Sequence, residues 1–162
     1  MKKTNTFFKN ASGIFIFFLL LTGISSCSKN GDNDNNDGAK GKSIRITISV
    51  SPVEDQGDFV GFALAGAGSD INENSIWKVN GTIQNSQKAI SLGKNDFNKG
   101  VGTYVIESAV PITNATSSID LINHGADMNY SFKIEINGKV TVEETNKKLS
   151  GDNTSFTKHY TL

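Results

Sequence analysis

The sequence predicts an all-β domain over residues 43–162, built from two facing antiparallel sheets, and three features predict it. Residues 43–51 alternate apolar and polar side chains with a period of two, which is typical of a strand with one buried face. Further short runs of this kind recur at the spacing of an all-β domain. No segment shows a sustained helical period.

The predicted strands follow one another closely along this domain. The second of them, residues 58–66, is apolar on both faces, as expected for a strand in the middle of a packed sheet. The others lie at residues 76–79, 82–84, 88–92, 102–110, 129–135, 139–144 and 156–160, with a weaker segment at 118–121.

An Asn-Gly pair at 137–138 marks the clearest hairpin. A two-residue turn at this pair would set apolar residues opposite polar ones, and a shift of one residue in register removes that mismatch. The sequence therefore favours a three-residue loop at 136–138, with Gly138 in the left-handed conformation and Ile134 opposite Val140.

A second Asn-Gly pair, at 80–81, predicts by the same reasoning a loop of residues 79–81 that sets Trp77 opposite Ile83. Short antiparallel strands in this number need two sheets that share one core. The predicted fold is therefore an antiparallel two-sheet β-sandwich of immunoglobulin-like or related topology, with the strand order left open.

The N-terminus predicts a signal peptide at residues 1–26. Three lysines lie within the first nine residues, and an apolar run, IFIFFLLL, follows at 14–21. A membrane-spanning helix would need about 18 or more apolar residues. Thr22 and Gly23 interrupt the run before it reaches that length.

Residues 24–27, Ile-Ser-Ser-Cys, resemble the lipobox of bacterial lipoproteins. The resemblance implies that signal peptidase II cuts before Cys27 and that the Cys27 thiol carries a diacylglycerol. Cys27 is the only cysteine, so an internal disulfide is excluded. Several fatty chains at one residue would hold the protein on a membrane far more firmly than a single chain.

Residues 27–42 predict a disordered tether, because Gly, Asn and Asp without apolar residues cannot bury enough surface to offset chain entropy. Asp32, Asp34 and Asp37 are similar to the acidic stretch that follows the lipidated cysteine of Bacteroidetes-type surface lipoproteins. That resemblance implies a lipid anchor in the outer membrane, with the domain on either its periplasmic or its outer face. The stretch does not fit an EF-hand calcium loop, since Asp37 stands where Gly is required.

The charge balance excludes a nucleic-acid partner. The chain has sixteen basic and sixteen acidic residues, and three of the basic ones are the lysines of the predicted signal peptide. The mature part is therefore mildly acidic and has no cluster of Lys and Arg that could bind phosphates.

Few residues of the domain are candidates for chemistry. His124 and His159 are the only histidines, and a site that combines them with Asp127 is an alternative to surface roles for all three. Glu54, Asp55 and Asp58 could bind calcium between two strands, although a solvated turn is the favoured interpretation.

The glycines at 61 and 66 have the spacing of a phosphate loop, but Ala67 stands where that motif needs Lys. No nucleophile elbow is present. The sequence therefore predicts no catalytic residue, no metal site and no cofactor.

Three functions remain. The first is a cell-envelope lipoprotein that presents a β-sandwich to a protein or glycan partner, or serves a structural role. The second is a carbohydrate-binding lipoprotein with Trp77 as the stacking platform, and Tyr104, Tyr130 and Tyr160 as further aromatic candidates. The third, a hydrolytic enzyme, is the least favoured because it needs convergent polar groups in a cleft.

Overall fold

The computed structural model describes residues 41–53, 57–98 and 102–162. The elements are β1 (Ile44–Ser51), β2 (Phe59–Gly68), β3 (Trp77–Val79), β4 (Thr82–Ile83), β5 (Ala89–Gly93), α1 (Lys94–Phe97), β6 (Thr103–Ser108), β7 (Ile112–Asn123), β8 (Met128–Ile136), β9 (Lys139–Leu149) and β10 (Thr154–Thr161). One sheet has the strand order β4-β3-β6-β1-β8-β9 and the other β10-β7-β2-β5. Every ladder is antiparallel, so the predicted two-sheet sandwich is confirmed. No helix in these described ranges has the length and apolar character needed to cross a bilayer.

Alternation along the strands builds the core between the sheets. In β1, the side chains of Ile44, Ile46, Ile48 and Val50 are buried, and the residues between them are exposed or half-buried. Alternate residues of β2 and β7, in the other sheet, face these side chains. Alternate residues of β8, which lies beside β1, extend the same buried layer. Burying an aliphatic side chain of this size stabilises the fold by about 1.5–3 kcal/mol.

β7 differs most from the predicted strands. The sequence indicates only a weak strand at 118–121, whereas β7 has twelve residues and pairs with both β2 and β10. Its inward positions include the small residues Ala115 and Ser117. Between Ile112 and Ile119, β7 therefore lacks the large apolar side chains by which a buried strand is recognised.

The turn between β8 and β9 has two residues, so the predicted three-residue loop is wrong. Ile136 pairs with Lys139, and the turn residues Asn137 and Gly138 both have positive φ, +52° and +75°. These are the angles of a type I′ turn, whose twist matches that of the strands it joins.

A bulge in β9 removes the mismatch of faces that argued against this turn. Ile134 pairs with Val142, not with Val140 as predicted, because the register shifts between Ile134 and Glu135. Thr141 is the extra residue, and Val140 is left 44 % exposed. The correction of register that the sequence placed in the loop lies within the strand instead.

The Asn-Gly pair at 80–81 also forms a two-residue turn, with φ of +48° and +80°. Ile83 consequently pairs with Lys78 and not with Trp77, so the predicted register is wrong here too.

Asn80 and Asn137 explain why the two-residue turns are favoured over three-residue loops. The backbone N–H of Asn137 donates to the carbonyl of Ser43 (2.9 Å), and its Oδ1 accepts the Ser43 N–H (2.8 Å). Asn80 makes the same pair of bonds with Val105, both at 2.8 Å. Asn tolerates the left-handed region better than most residues, and here it also continues the ladder of the neighbouring strand.

Lys42, the residue before the predicted start of the domain, is paired with the sandwich. Lys42, assigned to the tether from sequence, exchanges both backbone hydrogen bonds with Ile112 (2.8 and 2.9 Å). The backbone of Gly41 lies against Pro111, so closely that an added Cβ would be 2.6 Å from the Pro111 Cβ. The predicted signal peptide, Cys27 and the tether up to residue 40 lie outside the described residues.

The sandwich has two ends. The near end contains the Lys42–Ile112 bridge and the turn at 137–138. The far end is formed by residues 57–58, 123–127 and 149–153, which precede β2, follow β7 and join β9 to β10.

Candidate functional site

The far end contains Asp58, a buried carboxylate that the sequence assigned to a solvated turn. That assignment is wrong for Asp58, which is only 5 % exposed because it shares the inward face of β2 with Val60 and Phe62. Its Oδ1 accepts the backbone N–H of His124 at 2.9 Å. Glu54 and Asp55 lie outside the described residues.

Asn123 lies beside Asp58 at the end of β7. Phe59 pairs with Ile122 in the β2–β7 ladder, so Asp58 and Asn123 occupy the next pair of positions along these two strands. The Asn123 side chain is 0 % exposed, and its Nδ2 donates to the carbonyl of Gly151 at 3.0 Å. Its Oδ1 is buried and has no hydrogen-bond partner.

His124 connects two of the far-end loops. Nδ1 of its ring lies 3.0 Å from Oδ1 of Asp152, so a hydrogen at this nitrogen donates to the carboxylate. Oδ2 of Asp152 accepts from Nδ2 of Asn153, also at 3.0 Å. The β7–β8 loop is thus joined to Asp58 by its backbone and to the β9–β10 loop by two side chains.

Gly57 allows these loops to approach. Its φ is +93°, and an added Cβ would be 2.7 Å from the Cβ of His124. Any larger residue would both strain the backbone and displace His124.

Asp127 and Lys148 form an ion pair at the rim of the far end. The hydrogen bond from Lys148 is the main cause that holds the pKa of the Asp127 carboxyl below its usual range. Both side chains remain well exposed, so the pair contributes little to stability.

The structure does not bring together the site suggested by the two histidines. His159 lies on β10 opposite Ser118, five residues beyond Thr154, which pairs with Asn123. At about 3.4 Å per strand residue, His159 is roughly 17 Å along the sheet from the far end. Among the residues that the structure describes, no three His, Cys, Asp or Glu side chains are grouped so that they could hold a metal.

Trp77 is a core residue and presents no surface to a sugar ring. It is 0 % exposed, and its Nε1 donates to the carbonyl of Lys88 at 3.0 Å. Gly66 lies against its ring, since an added Cβ would be 2.7 Å from Cζ2 of Trp77. The Gly61 to Gly66 spacing thus lies within a strand, and burial removes the support for Trp77 as a binding platform.

The three tyrosines also pack on the core. Tyr160 stacks on Phe132, with ring centroids 5.6 Å apart. Burial raises the pKa of Tyr130 and of Tyr160, and the nearby Glu144 carboxylate adds to both shifts. Burial is also the main cause of the raised pKa of Tyr104.

Sequence reasoning missed Asn123, and one signal could have found it. Asn123 is separated from Ile119 and Leu121 by even numbers of residues, so it points to the same side of a strand. A strand that continues to residue 123 therefore places this polar residue at an inward position. A buried amide at a strand end needs a specific partner, which marks it as a candidate for function.

These features define a class of protein: an antiparallel β-sandwich with tight turns at the near end and a polar loop cluster at the far end. No protein-family model and no curated protein matches the sequence.

Solved structures share the fold. The chain resembles a DUF4425 family protein from Bacteroides ovatus (TM-score 0.53, 11 % identity, covering 75 % of this chain and 94 % of that one). It also resembles a DUF4425 domain of unknown function from Bacteroides vulgatus (TM-score 0.54, 12 % identity, 76 % and 94 %). A third similar structure is the calcium-bound form of a protein from Parabacteroides distasonis (TM-score 0.51, 18 % identity, 80 % and 99 %). At these identities the likeness shows a common fold.

Proposed function

We propose that this protein is a lipid-anchored module of the cell envelope that presents the far end of its sandwich to a protein or glycan partner. The observation that carries the proposal is Cys27, which follows a basic start and an apolar run within a lipobox-like sequence. Lipid on this residue would attach the protein to the outer membrane, while the domain remains in the aqueous phase.

The arrangement of the two ends supports this role. The chain enters at the near end, where the Lys42–Ile112 bridge fixes it. The polar loops lie at the opposite end of the strands, and loops held at one end of a rigid sandwich are typical of a binding surface.

Replacing the cysteine tests the anchor. In cells that express the Cys27→Ser variant, the protein should carry no fatty chains. The intact mass of membrane-extracted material should be that of the uncleaved precursor. Asn30→Ala, which lies outside the lipobox-like segment, is the matched control and should be indistinguishable from wild type. A mature wild-type protein that begins at a residue other than Cys27, or that carries no lipid, would refute the proposal. Protease treatment of intact cells then tells the outer face of the membrane from the periplasmic face.

A second candidate function is calcium binding, favoured by one observation at the far end. The unpaired oxygen of Asn123 is buried next to Asp58, and amide and carboxylate oxygens are typical Ca²⁺ ligands. The structurally similar Parabacteroides protein is known in a calcium-bound form. Extracellular calcium modules bind with dissociation constants of about 10⁻⁴–10⁻³ M.

Thermal unfolding of the wild-type chain tests this function. A ligand that binds only the folded state raises the melting temperature, so Ca²⁺ at about 10 mM, roughly ten times the weakest of these dissociation constants, should raise it by about 4 °C or more over a chelator. Mg²⁺ at the same concentration should have a smaller effect, because it demands near-octahedral geometry. Equal melting temperatures in Ca²⁺ and in chelator would exclude calcium binding.

A further inference from the structure

The far end contains a preformed oxygen ligand. Oδ1 of Asn123 is fully buried and has no hydrogen-bond partner among the described residues, although most buried polar atoms have one. The orientation of the amide is fixed, because Nδ2 donates to the carbonyl of Gly151. Rotating the amide would place the oxygen against that carbonyl, so the unpaired atom is the oxygen and not the nitrogen.

A carboxylate lies at the neighbouring position. Asp58 and Asn123 are adjacent across the β2–β7 ladder, and both side chains are on the inward face. The His124 N–H holds one oxygen of the Asp58 carboxylate. A buried carboxylate beside an unpaired amide oxygen is a combination that favours a hard cation, since neither group is a soft ligand.

We propose that Asp58 and Asn123 are ligands of a Ca²⁺ ion that ties the far-end loops together, an inference that rests on the calcium binding proposed above. Ca²⁺ takes about six to eight oxygen ligands in flexible geometry, many of them backbone carbonyls and water. Asp58 belongs to the segment before β2, and Asn123 is joined to the β9–β10 loop through Gly151. Occupancy therefore regulates the order of the loops that the module presents to its partner.

A change of one charge tests the assignment in the full-length chain. Asn123→Asp places a second carboxylate beside Asp58 and removes the donor to the Gly151 carbonyl, so the variant should melt below wild type in chelator because like charges repel in a buried site and that hydrogen bond is lost. In Ca²⁺ the added ligand should make its rise in melting temperature larger than that of wild type. Asn114→Asp introduces the same charge at an exposed position near the other end of β7 and should leave the wild-type rise unchanged.

A second variant serves if Asn123→Asp does not fold. Asp58→Asn keeps the shape of the side chain and an oxygen for the His124 N–H, and it should lose most of the calcium-dependent rise. In wild type, titration with Ca²⁺ should shift the backbone amide resonance of His124 by more than that of Asn137, because His124 donates to the Asp58 carboxylate and Asn137 lies at the near end.

The outcomes separate the two proposals. If Ca²⁺ does not change the melting temperature of the wild-type chain, both the calcium function and this site are overturned. A calcium-dependent rise that both Asp58→Asn and Asn123→Asp leave at the wild-type value shows that the ion binds elsewhere and overturns this site alone.

Discussion

The two ends of the sandwich are held together by different means. At the near end, most of these hydrogen bonds join backbone groups. Lys42 pairs with Ile112, and Asn137 extends the ladder of β1 through Ser43. At the far end, side chains join the loops, with Asp58 and His124 at the centre of the hydrogen bonds. Backbone pairing tolerates changes of side chain, whereas a side-chain network depends on each member. The far end is therefore the part of the molecule where single substitutions should have specific effects.

The largest expected effect is at Gly57. Gly57→Ala combines a left-handed backbone, which costs about 1–3 kcal/mol, with a Cβ that would meet His124 at 2.7 Å. Overpacking of this kind costs a further 1–3 kcal/mol or so. Chemical denaturation should show a loss of about 3 kcal/mol in total.

Gly81→Ala is the matched control for Gly57→Ala. Its φ of +80° is similar, but an added Cβ meets nothing within 4 Å. It should lose only the backbone contribution, about 1 kcal/mol. If the two variants lose the same free energy, the close approach of Gly57 to His124 has no energetic weight.

An intermediate effect is expected at the near-end turn. Asn137→Ala loses a residue suited to positive φ and the bond from its Oδ1 to the Ser43 N–H, so it should cost about 1–2 kcal/mol. Asn80→Ala should cost about as much, because Asn80 bonds Val105 in the same way. Gly138→Val should also be destabilising, by roughly 1–3 kcal/mol.

The three-residue loop expected from sequence makes the opposite prediction for Asn137. In that loop ordinary right-handed angles would suffice at Asn137, and Asn137→Ala would be nearly neutral. If the denaturation curve of Asn137→Ala coincides with that of wild type, the result would support the three-residue loop over the two-residue turn.

The smallest expected effect is at the exposed ion pair of the far end. Because the pKa of Asp127 in the folded protein lies below its ordinary value of 3.8, the pair stabilises the fold above that pH. The stabilisation should be lost as the pH falls from the ordinary value through the lowered pKa of the folded protein. Asp127→Asn should therefore melt slightly below wild type at neutral pH, and the difference should vanish once Asp127 is protonated in the folded protein. A difference that persists in acid would show that Asp127 acts through something other than its charge.

The sequence predicts the sandwich well and its turns poorly, for physical reasons. Alternation in β1 identifies a half-buried strand because Ile44 to Val50 have large side chains on one face. The turn at 137–138 depends on a bulge at Thr141, three residues beyond Gly138, whose position has no signature in the local pattern.

The candidate site was hidden by the same limitation. Asp58 looks like a loop residue until β2 and β7 are aligned, and Asn123 looks like one until β7 is extended to its full length. Asp58 and Asn123 are brought together only by a pairing between residues 65 positions apart (123 − 58), which periodicity within either strand cannot reveal.

The way in which the chain enters the fold bears on mechanical load. β1 lies between β6 and β8 in the interior of its sheet, and the Lys42–Ile112 bridge links its start to the first residue of β7 in the other sheet. A pull on the chain at Gly41, directed along β1, would load the hydrogen bonds of both β1 ladders in shear, so that they share the force instead of opening one after another. The bridge would pass part of that force to the second sheet, so both layers of the sandwich would resist it.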